Sequence, residues 1–173
     1  TTDIYTLTLH DALPIYLMGE RTPHLDADCR GVFFGLSAKH VKRDMLRAVM
    51  EGVVFSLKDC LSIMLEMGVP AVEVRASGGG GKSGLWRQMQ ADVFGTSIKT
   101  VNCSEGPALG AALLAGVGTG IYKNVPEACE ATIGIASEQG FDKEAHLIYE
   151  EYYSLYKQLY ASLKGDFKKL ANL

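Results

Sequence analysis

The sequence has no long hydrophobic run, little cysteine and no excess of charge of one sign. No uninterrupted apolar stretch approaches the roughly 18 residues of a membrane-spanning helix, so no membrane association is expected. The net charge of −3 comes from mixed acidic and basic residues and provides no basic face for nucleic acid. The sequence has 173 residues, of which 47% are hydrophobic. This length and composition are typical of a single globular domain with a hydrophobic core, and we expect a cytoplasmic protein.

The cysteines are too few and too far apart for a disulfide framework or a zinc site. No CxxC pair occurs and no histidine lies at ligand spacing, so no protein-held metal is predicted. We expect reduced, mostly buried thiols. The four residues are Cys29, Cys60, Cys103 and Cys129.

The first residues differ in character from the rest of the chain. Thr1 to Ile15 has neither the basic region nor the apolar core of a signal peptide. We interpret residues 1–15 as a cloning or gene-assembly remnant and residues 16–173 as the domain proper. His10 and Asp11 are therefore given no catalytic role, although they are adjacent.

Four consecutive glycines, Gly78 to Gly81, are the most informative feature of the chain. They follow an apolar run of β type, Ala71 to Val74, and precede a helical pattern that opens at about Lys82. Glycine lets the backbone turn sharply and approach a ligand closely, because it has no Cβ. The start of the next helix directs unpaired N–H groups toward the same place. This pattern predicts a phosphate site, and hence nucleotide binding.

One interpretation of the run is a P-loop, since Gly81, Lys82 and Ser83 supply its GK[ST] end. A P-loop also needs an Asp at the end of a later strand to hold magnesium. The next strand candidate, Ser97 to Val101, runs into Asn102, and the glycines are contiguous rather than spread around a phosphate. A glycine turn without any ligand is a further alternative.

A longer pattern resembles the C-terminal half of the FGGY-family carbohydrate kinases. In that family a strand ends in Gly-Gly and the following helix carries a polar first residue, then an aromatic, Gln and Ala/Ser-Asp. Those positions here are Gly78, Gly79, Gly80, Ser83, Trp86, Gln88, Ala91 and Asp92. A second family signature fits at Gly31 to Leu36 and, seven residues later, at Asp44 to Glu51. The resemblance extends from Tyr16 to about Leu163.

The resemblance implies an α/β fold of the actin-like ATPase (ribonuclease H-like) type, a mixed sheet with flanking helices. It also implies transfer of the ATP γ-phosphoryl group to a sugar hydroxyl, with Mg²⁺ held mainly by the nucleotide phosphates. The run Gly19 to His24 resembles the branch that converts D-xylulose to D-xylulose 5-phosphate. Glu20 and Arg21 are expected near the cleft of such an enzyme.

The same resemblance assigns nucleotide binding, of ATP or ADP, to Gly78, Gly79, Gly80 and Ser83. In this family the catalytic Asp and the sugar site belong to the N-terminal lobe, so no catalytic residue is expected here. The chain alone is then predicted to bind nucleotide without turnover and to self-associate through an exposed apolar face. The alternatives are a non-catalytic nucleotide-binding module, a subunit of a split kinase and, as above, a P-loop NTPase.

The alternation of strands and helices after Ala71 supports the α/β class. Strands are predicted at Gly31 to Leu36, Val72 to Arg75 and Ser97 to Val101, and helices at Val41 to Met67, Lys82 to Phe94, Ala108 to Ala115, Lys123 to Thr132 and Lys143 to Leu163. The first helix has an apolar stripe comprising Met45, Val49, Val53, Leu57, Cys60, Leu61 and Met64. The last helix has a tyrosine stripe, predicted to be a buried docking face, at Tyr149, Tyr152, Tyr153, Tyr156 and Tyr160.

Overall fold

A computed structural model describes residues 19–103 and 106–173 as a mixed α/β protein. The prediction for residues 1–15 therefore lies outside the described residues. The elements, in chain order, are α1 (Lys42–Glu66), β1 (Val74–Arg75), α2 (Gly78–Lys82), α3 (Gly84–Phe94), β2 (Ile98–Val101), α4 (Gly106–Gly118), α5 (Val125–Thr132), β3 (Ile135–Gln139) and α6 (Lys143–Ala171).

The chain divides into two compact units. The first contains described residues 19–71, Asp92–Gly95 and Asp142–Leu173, and therefore holds α1 and α6. The second contains Val72–Ala91 and the described part of Thr96–Phe141, and holds the sheet with α2, α4 and α5. Helix α3 contributes residues to both units.

Aromatic packing between α1 and α6 forms the core of the first unit. The ring of Phe55 lies 6.0, 5.8 and 5.4 Å, between centroids, from the rings of Tyr149, Tyr153 and Tyr156. Because these tyrosines recur every three or four residues, they form one face of α6, and all three are buried. The predicted docking face on the last helix is confirmed for these side chains.

Charged side chains on the buried face of α1 are paired with groups elsewhere in the first unit. The Glu51 carboxylate accepts hydrogen bonds of 2.8 Å from Arg47 Nε and from the Tyr149 hydroxyl. Lys58 Nζ donates to the Val93 carbonyl at 2.8 Å and forms an ion pair with Glu150. Buried charges are tolerated only when paired in this way, so these contacts determine which face of α1 is turned inward.

The apolar stripe predicted on α1 is not the buried face of that helix. Five residues of this stripe are exposed, with between 37% and 47% of each residue's surface accessible to solvent, namely Met45, Val49, Val53, Leu57 and Met64. The buried residues, which include Ala48, Phe55 and Asp59, lie on the opposite side. We call the five exposed residues the open face of α1.

Local hydrogen bonds determine where the long helices begin and end. Asp44 Oδ2 accepts from the Val41 N–H at 2.9 Å at the start of α1, which pairs one otherwise unsatisfied donor. Gly68, with φ of +79°, ends the same helix in the left-handed conformation that glycine adopts readily. Asp142 caps α6 by accepting from the N–H groups of Glu144 and Ala145 at 2.8 and 3.0 Å.

A three-stranded sheet in the order β1-β2-β3 forms the centre of the second unit. Strand β1 is parallel to β2, with Val74 opposite Ile98, and β2 is antiparallel to β3, with Ile98 opposite Gln139. Strand β3 was not predicted, because its sequence IASEQ lacks a strong apolar alternation and its pairing with β2 is non-local.

The strand predicted at Gly31 to Leu36 is wrong for the described structure. No strand in the described residues pairs with this segment, and Gly35 takes a φ of +80°, which interrupts an extended course. Phe33, Phe34 and Leu36 are 38%, 46% and 46% exposed. A strand exists only where a partner satisfies its backbone groups, and the described part of the chain supplies none here.

None of the helices in the described part of the chain is both long enough and apolar enough to cross a membrane. All four cysteines are free thiols. Burial, with the charges of Asp26 and Glu20, raises the pKa of Cys29 to about 12, so its thiol is neutral at ordinary pH.

Candidate functional site

The glycine run forms a single turn of helix, α2, at the carboxyl end of β1. The Ala76 N–H donates to the Lys99 carbonyl at 2.8 Å, so the chain remains paired with the neighbouring strand up to the turn. Gly78 then takes a φ of +69°, which favours glycine. The carboxyl ends of parallel strands are the usual place for a ligand in an α/β sheet.

Gly81 has less room for a side chain than Gly78 or Gly80. A Cβ there would lie 2.8 Å from the carbonyl oxygen of Ala76 and 3.0 Å from its carbonyl carbon, both backbone atoms. At Gly80 a Cβ would lie 3.2 Å from Nε1 of Trp86, a tight contact with a side chain. The family motif accounts for the first three glycines, and the sequence prediction used Gly81 only in the P-loop interpretation.

The other predicted nucleotide residues lie in or next to this turn. Gly79 is within α2, and Ser83 separates α2 from α3. The Ser83 N–H donates to the Gly80 carbonyl at 3.1 Å, and Ser83 Oγ accepts from the Trp86 N–H at 3.3 Å. Gly78, Gly79, Gly80 and Ser83 are thus brought together as one continuous structure.

Arg87 holds the turn from the first part of α3. Its Nη1 donates to the Gly81 carbonyl at 2.6 Å, a charge-assisted hydrogen bond. Its Nε is buried and has no hydrogen-bond partner among the described residues. A buried donor without a partner lowers the stability of the folded protein. The sequence prediction did not include Arg87.

A cavity of about 450 Å³ opens beside the turn. The charged side chains in its lining are those of Lys82 and Arg87, both cationic. Polar side chains of Ser77, Thr100 and Asn102 also line it. The lining residues that the structure describes include cations and hydrogen-bonding groups but no acidic side chain, which suits an anionic ligand.

A second cavity, of about 430 Å³, lies in the same unit and is mainly apolar. Ser77, Val101 and Cys103 line both cavities. The apolar part of the second lining comes from α4, α5 and the residue that follows α5, namely Leu109, Leu113, Leu114, Val125 and Ile133. The end of β1 and β2 is therefore bordered by a polar, cationic cavity and an apolar one.

Glu20 and Arg21, the predicted cleft residues, belong to the first unit. Glu20 is buried, its Oε2 accepts from the His24 N–H at 2.7 Å, and its backbone pairs with Asp26 in an isolated antiparallel bridge. Arg21 is exposed. Glu20 is thus held in a local turn, whereas Arg21 faces solvent. The role of these two residues in a cleft stays a prediction.

The remaining residues of the glycine motif make structural contacts. Gln88 Nε2 donates to the Gly140 carbonyl at 3.1 Å within the second unit. Asp92 is buried and accepts from the Asp142 N–H at 2.8 Å within the first. These contacts agree with a packing or capping role for this part of α3.

Protein-held metal has no site in the described residues, where no group of three or more His, Cys, Asp or Glu side chains is arranged to hold an ion. The cationic lining of the cavity beside the glycine turn suits a negatively charged ligand.

The family model for the C-terminal domain of the FGGY family of carbohydrate kinases matches residues 9–119. The xylulose kinase of Staphylococcus epidermidis is 44% identical over 149 residues, which are 86% of this chain and 30% of that protein. The xylulose kinase of Bacillus subtilis is 39% identical over 151 residues, again 86% and 30%. The chain thus spans about 30% of the length of these relatives.

The solved structure of a ligand-bound xylulose kinase from Lactobacillus acidophilus is similar in fold. It superimposes with a TM-score of 0.82 at 31% identity, over 90% of this chain and 31% of that one. The predicted fold class, an actin-like ATPase domain with a mixed sheet and flanking helices, is confirmed.

The chain belongs to the FGGY family of carbohydrate kinases and carries its C-terminal domain. The resemblance derived from the motifs is therefore confirmed, and family membership decides against the P-loop alternative. The local geometry agrees, because Lys82 ends the short helix α2, with its side chain exposed, and does not open a helix after a loop.

Proposed function

We propose that this domain binds the adenine nucleotide of an ATP-dependent sugar kinase at the turn formed by Gly78 to Ser83. The observation that carries the proposal is the close approach at Gly81, where backbone excludes a Cβ, beside a cavity lined by Lys82 and Arg87. Phosphates would occupy the cationic cavity. The neighbouring apolar cavity suits the base, since a nucleotide is anionic at one end and aromatic at the other.

The reaction proposed for the whole enzyme is transfer of the ATP γ-phosphoryl group to a hydroxyl of D-xylulose. The xylulose kinases to which the chain is similar support this sugar. Mg²⁺ bound to the nucleotide phosphates would neutralise their charge during transfer. The contribution of this domain is to hold and orient the nucleotide by backbone contact and by the charges of Lys82 and Arg87.

Proton removal from the sugar requires a general base, which we place in the part of the enzyme that precedes this domain. Among residues 19–103 and 106–173, no carboxylate lines the cavity beside the glycine turn. In this proposal the domain positions the nucleotide and stabilises its charge. The sugar is bound by the preceding part of the enzyme.

Calorimetric titration of the purified chain with Mg·ADP tests the nucleotide site. Gly81→Ala should weaken binding at least about tenfold, or about 1.4 kcal/mol, because the new Cβ forces the turn away from Ala76. Gly80→Asp should also weaken it, since its side chain would meet Trp86 and add negative charge near the phosphates.

Gly84→Ala is the matched control, because its Cβ would have only an ordinary contact, 3.9 Å from Arg87 Nη2. It should bind as the unmodified chain does. Thermal unfolding of each variant confirms that it is folded. Equal affinity of Gly81→Ala and the unmodified chain would contradict the proposed site, and no binding by the folded unmodified chain would contradict nucleotide binding by this domain alone.

A further inference from the structure

Asn102, the residue after β2, joins this strand to the segment that connects α5 with β3. Its Oδ1 accepts from the Gly134 N–H at 3.1 Å, and its Nδ2 donates to the Thr132 carbonyl at 3.1 Å. Its backbone N–H donates to the Gly134 carbonyl at 3.0 Å. A single residue therefore makes three hydrogen bonds to the end of α5 and the residues that follow it.

The side-chain contacts of Asn102 require an amide. The register of β2 and β3 shifts between Thr100 and Val101, so their regular pairing is interrupted just before this residue. The Asn102 side chain then offers one acceptor and one donor, as a backbone peptide group does. An aspartate could accept from the Gly134 N–H but would place its second oxygen against the Thr132 carbonyl, and an alanine could form neither bond.

The same residue lies where the linings of the two cavities meet. Asn102 lines the cationic cavity beside the glycine turn. Val125, Cys129 and Ile133, at intervals of four residues along α5 and just beyond it, line the apolar cavity. Ile133 stands between the two residues that the Asn102 side chain holds. Asn102 therefore connects the lining of one cavity to the lining of the other.

We propose that Asn102 is a positioning residue, which fixes the apolar cavity at the distance from the cationic cavity that lets one nucleotide occupy both. The inference rests on the proposed function, in which the base lies in the apolar cavity and the phosphates in the cationic one. A ligand bound at both ends gains from its second contact only when the spacing of the two sites matches its length. A spacing that is set before binding also reduces the entropy that binding costs.

Titration of separate ligands for each cavity tests this role in the 173-residue chain. Mg·ADP is the ligand for both cavities, adenosine for the apolar one and pyrophosphate for the cationic one. Asn102→Ala removes the two side-chain hydrogen bonds. It should weaken Mg·ADP at least about fivefold, while adenosine and pyrophosphate, which need only one cavity each, should change by less than about twofold.

Ser97→Ala is the matched control. It removes a side-chain hydrogen bond of 2.6 Å from Ser97 Oγ to Glu138 Oε1, at the opposite end of β2 from Asn102. All three affinities should be unchanged in this variant. Asn102 is exposed, so its hydrogen bonds compete with water and Asn102→Ala should fold, which thermal unfolding checks. Asn102→Ser, too short to reach both partners, gives the same comparison if Asn102→Ala does not fold.

Three results of the titrations would overturn the proposal. Unchanged affinity for Mg·ADP would show that the spacing does not depend on Asn102. A loss for pyrophosphate or for adenosine equal to the loss for Mg·ADP would show that Asn102 acts within one cavity. An equal loss in Ser97→Ala would show that any side-chain bond to β3 has the same effect.

Hydrogen exchange in the last turn of α5 tests the inference without any ligand. The Ile133 N–H donates to the Cys129 carbonyl at 2.8 Å and reports on this turn. It should exchange at least about threefold faster in Asn102→Ala than in the unmodified chain or in Ser97→Ala. Unchanged exchange would overturn the proposal. Absence of Mg·ADP binding by the unmodified chain would instead contradict the proposed function, so the two failures are distinguishable.

Discussion

At the scale of single residues, Arg87 connects the glycine turn to helix α3. Its guanidinium donates to the Gly81 carbonyl at 2.6 Å and lines the cationic cavity. Arg87→Ala should loosen the turn and weaken Mg·ADP binding about tenfold, because a hydrogen bond from a charged group contributes about 1.5–3 kcal/mol. Arg87→Lys should restore part of the affinity, since it keeps the charge but not the planar geometry.

Hydrogen exchange at Ser83, whose N–H donates to the Gly80 carbonyl, reports on the turn without any nucleotide. It should speed up in Arg87→Ala. Arg43→Ala, which removes a guanidinium with 69% of its side-chain surface exposed, should leave that exchange and the affinity unchanged. If Arg87→Ala changed neither quantity, Arg87 would have no positioning role.

Sequence reasoning identified the glycine turn but not the residues that support it. Gly78 to Ser83 could be found because a motif fixes their order and spacing. Arg87 and the obstruction at Gly81 could not, because both depend on three-dimensional proximity: Arg87 Nη1 reaches back six residues, and the atoms that exclude a Cβ belong to Ala76. Spacing along the chain does not report contacts of this kind.

At the scale of secondary-structure elements, α1 and α6 share a buried carboxylate that should make stability depend on pH. Asp59 Oδ1 accepts from the Tyr153 hydroxyl at 2.5 Å, while Oδ2 is buried without a hydrogen-bond partner in the described structure. Burial raises the pKa of Asp59, with a smaller contribution from Glu20, against the opposing effects of Tyr153, His24 and Lys157. The folded protein therefore binds this proton more tightly than the unfolded chain does.

The sign of the effect follows from that pKa. Stability from Asp59 is fully present below its ordinary pKa of 3.8 and is lost as pH rises through the raised folded value. Urea unfolding between about pH 4 and pH 7 should show a smaller decline in Asp59→Asn than in the unmodified chain. Asp166→Asn, at an exposed carboxylate, should keep the full decline. An unchanged pH slope in Asp59→Asn would contradict the prediction.

The existence of α1 and α6 was predictable from their periodicity, but the orientation of α1 was not. Helical spacing of apolar residues shows that one side of a helix is apolar, and α6 buries that side through its tyrosines. In α1 the apolar side is the open face, because Glu51, Lys58 and Asp59 find their partners on α6 or nearby. Charged residues with long-range partners reversed an assignment that the sequence pattern alone would favour.

At the scale of the whole molecule, the proposed function gives this chain one of the three requirements of phosphoryl transfer, the bound nucleotide. A kinase needs a bound nucleotide, an oriented acceptor hydroxyl and a base for its proton. In the part of the chain that the structure describes, the cavity beside the glycine turn is lined by cations and backbone but by no carboxylate, and the chain spans about 30% of the length of its relatives. We therefore expect this chain to bind nucleotide but not to catalyse phosphoryl transfer.

A coupled assay for ADP formation with D-xylulose and Mg·ATP tests that separation. The 173-residue chain should give no rate above the background hydrolysis of ATP, even where calorimetry shows that it binds Mg·ADP. A chimera, in which residues 16–173 follow the preceding part of the Staphylococcus epidermidis xylulose kinase, should turn over, because the proposal places the base and the sugar site in that part. Gly81→Ala in this chimera should lower kcat/KM at least about tenfold. Gly84→Ala should not. Sugar-dependent ADP formation by the purified chain would mean that it contains a general base of its own. The proposal that the base lies in the preceding part of the enzyme would then be wrong.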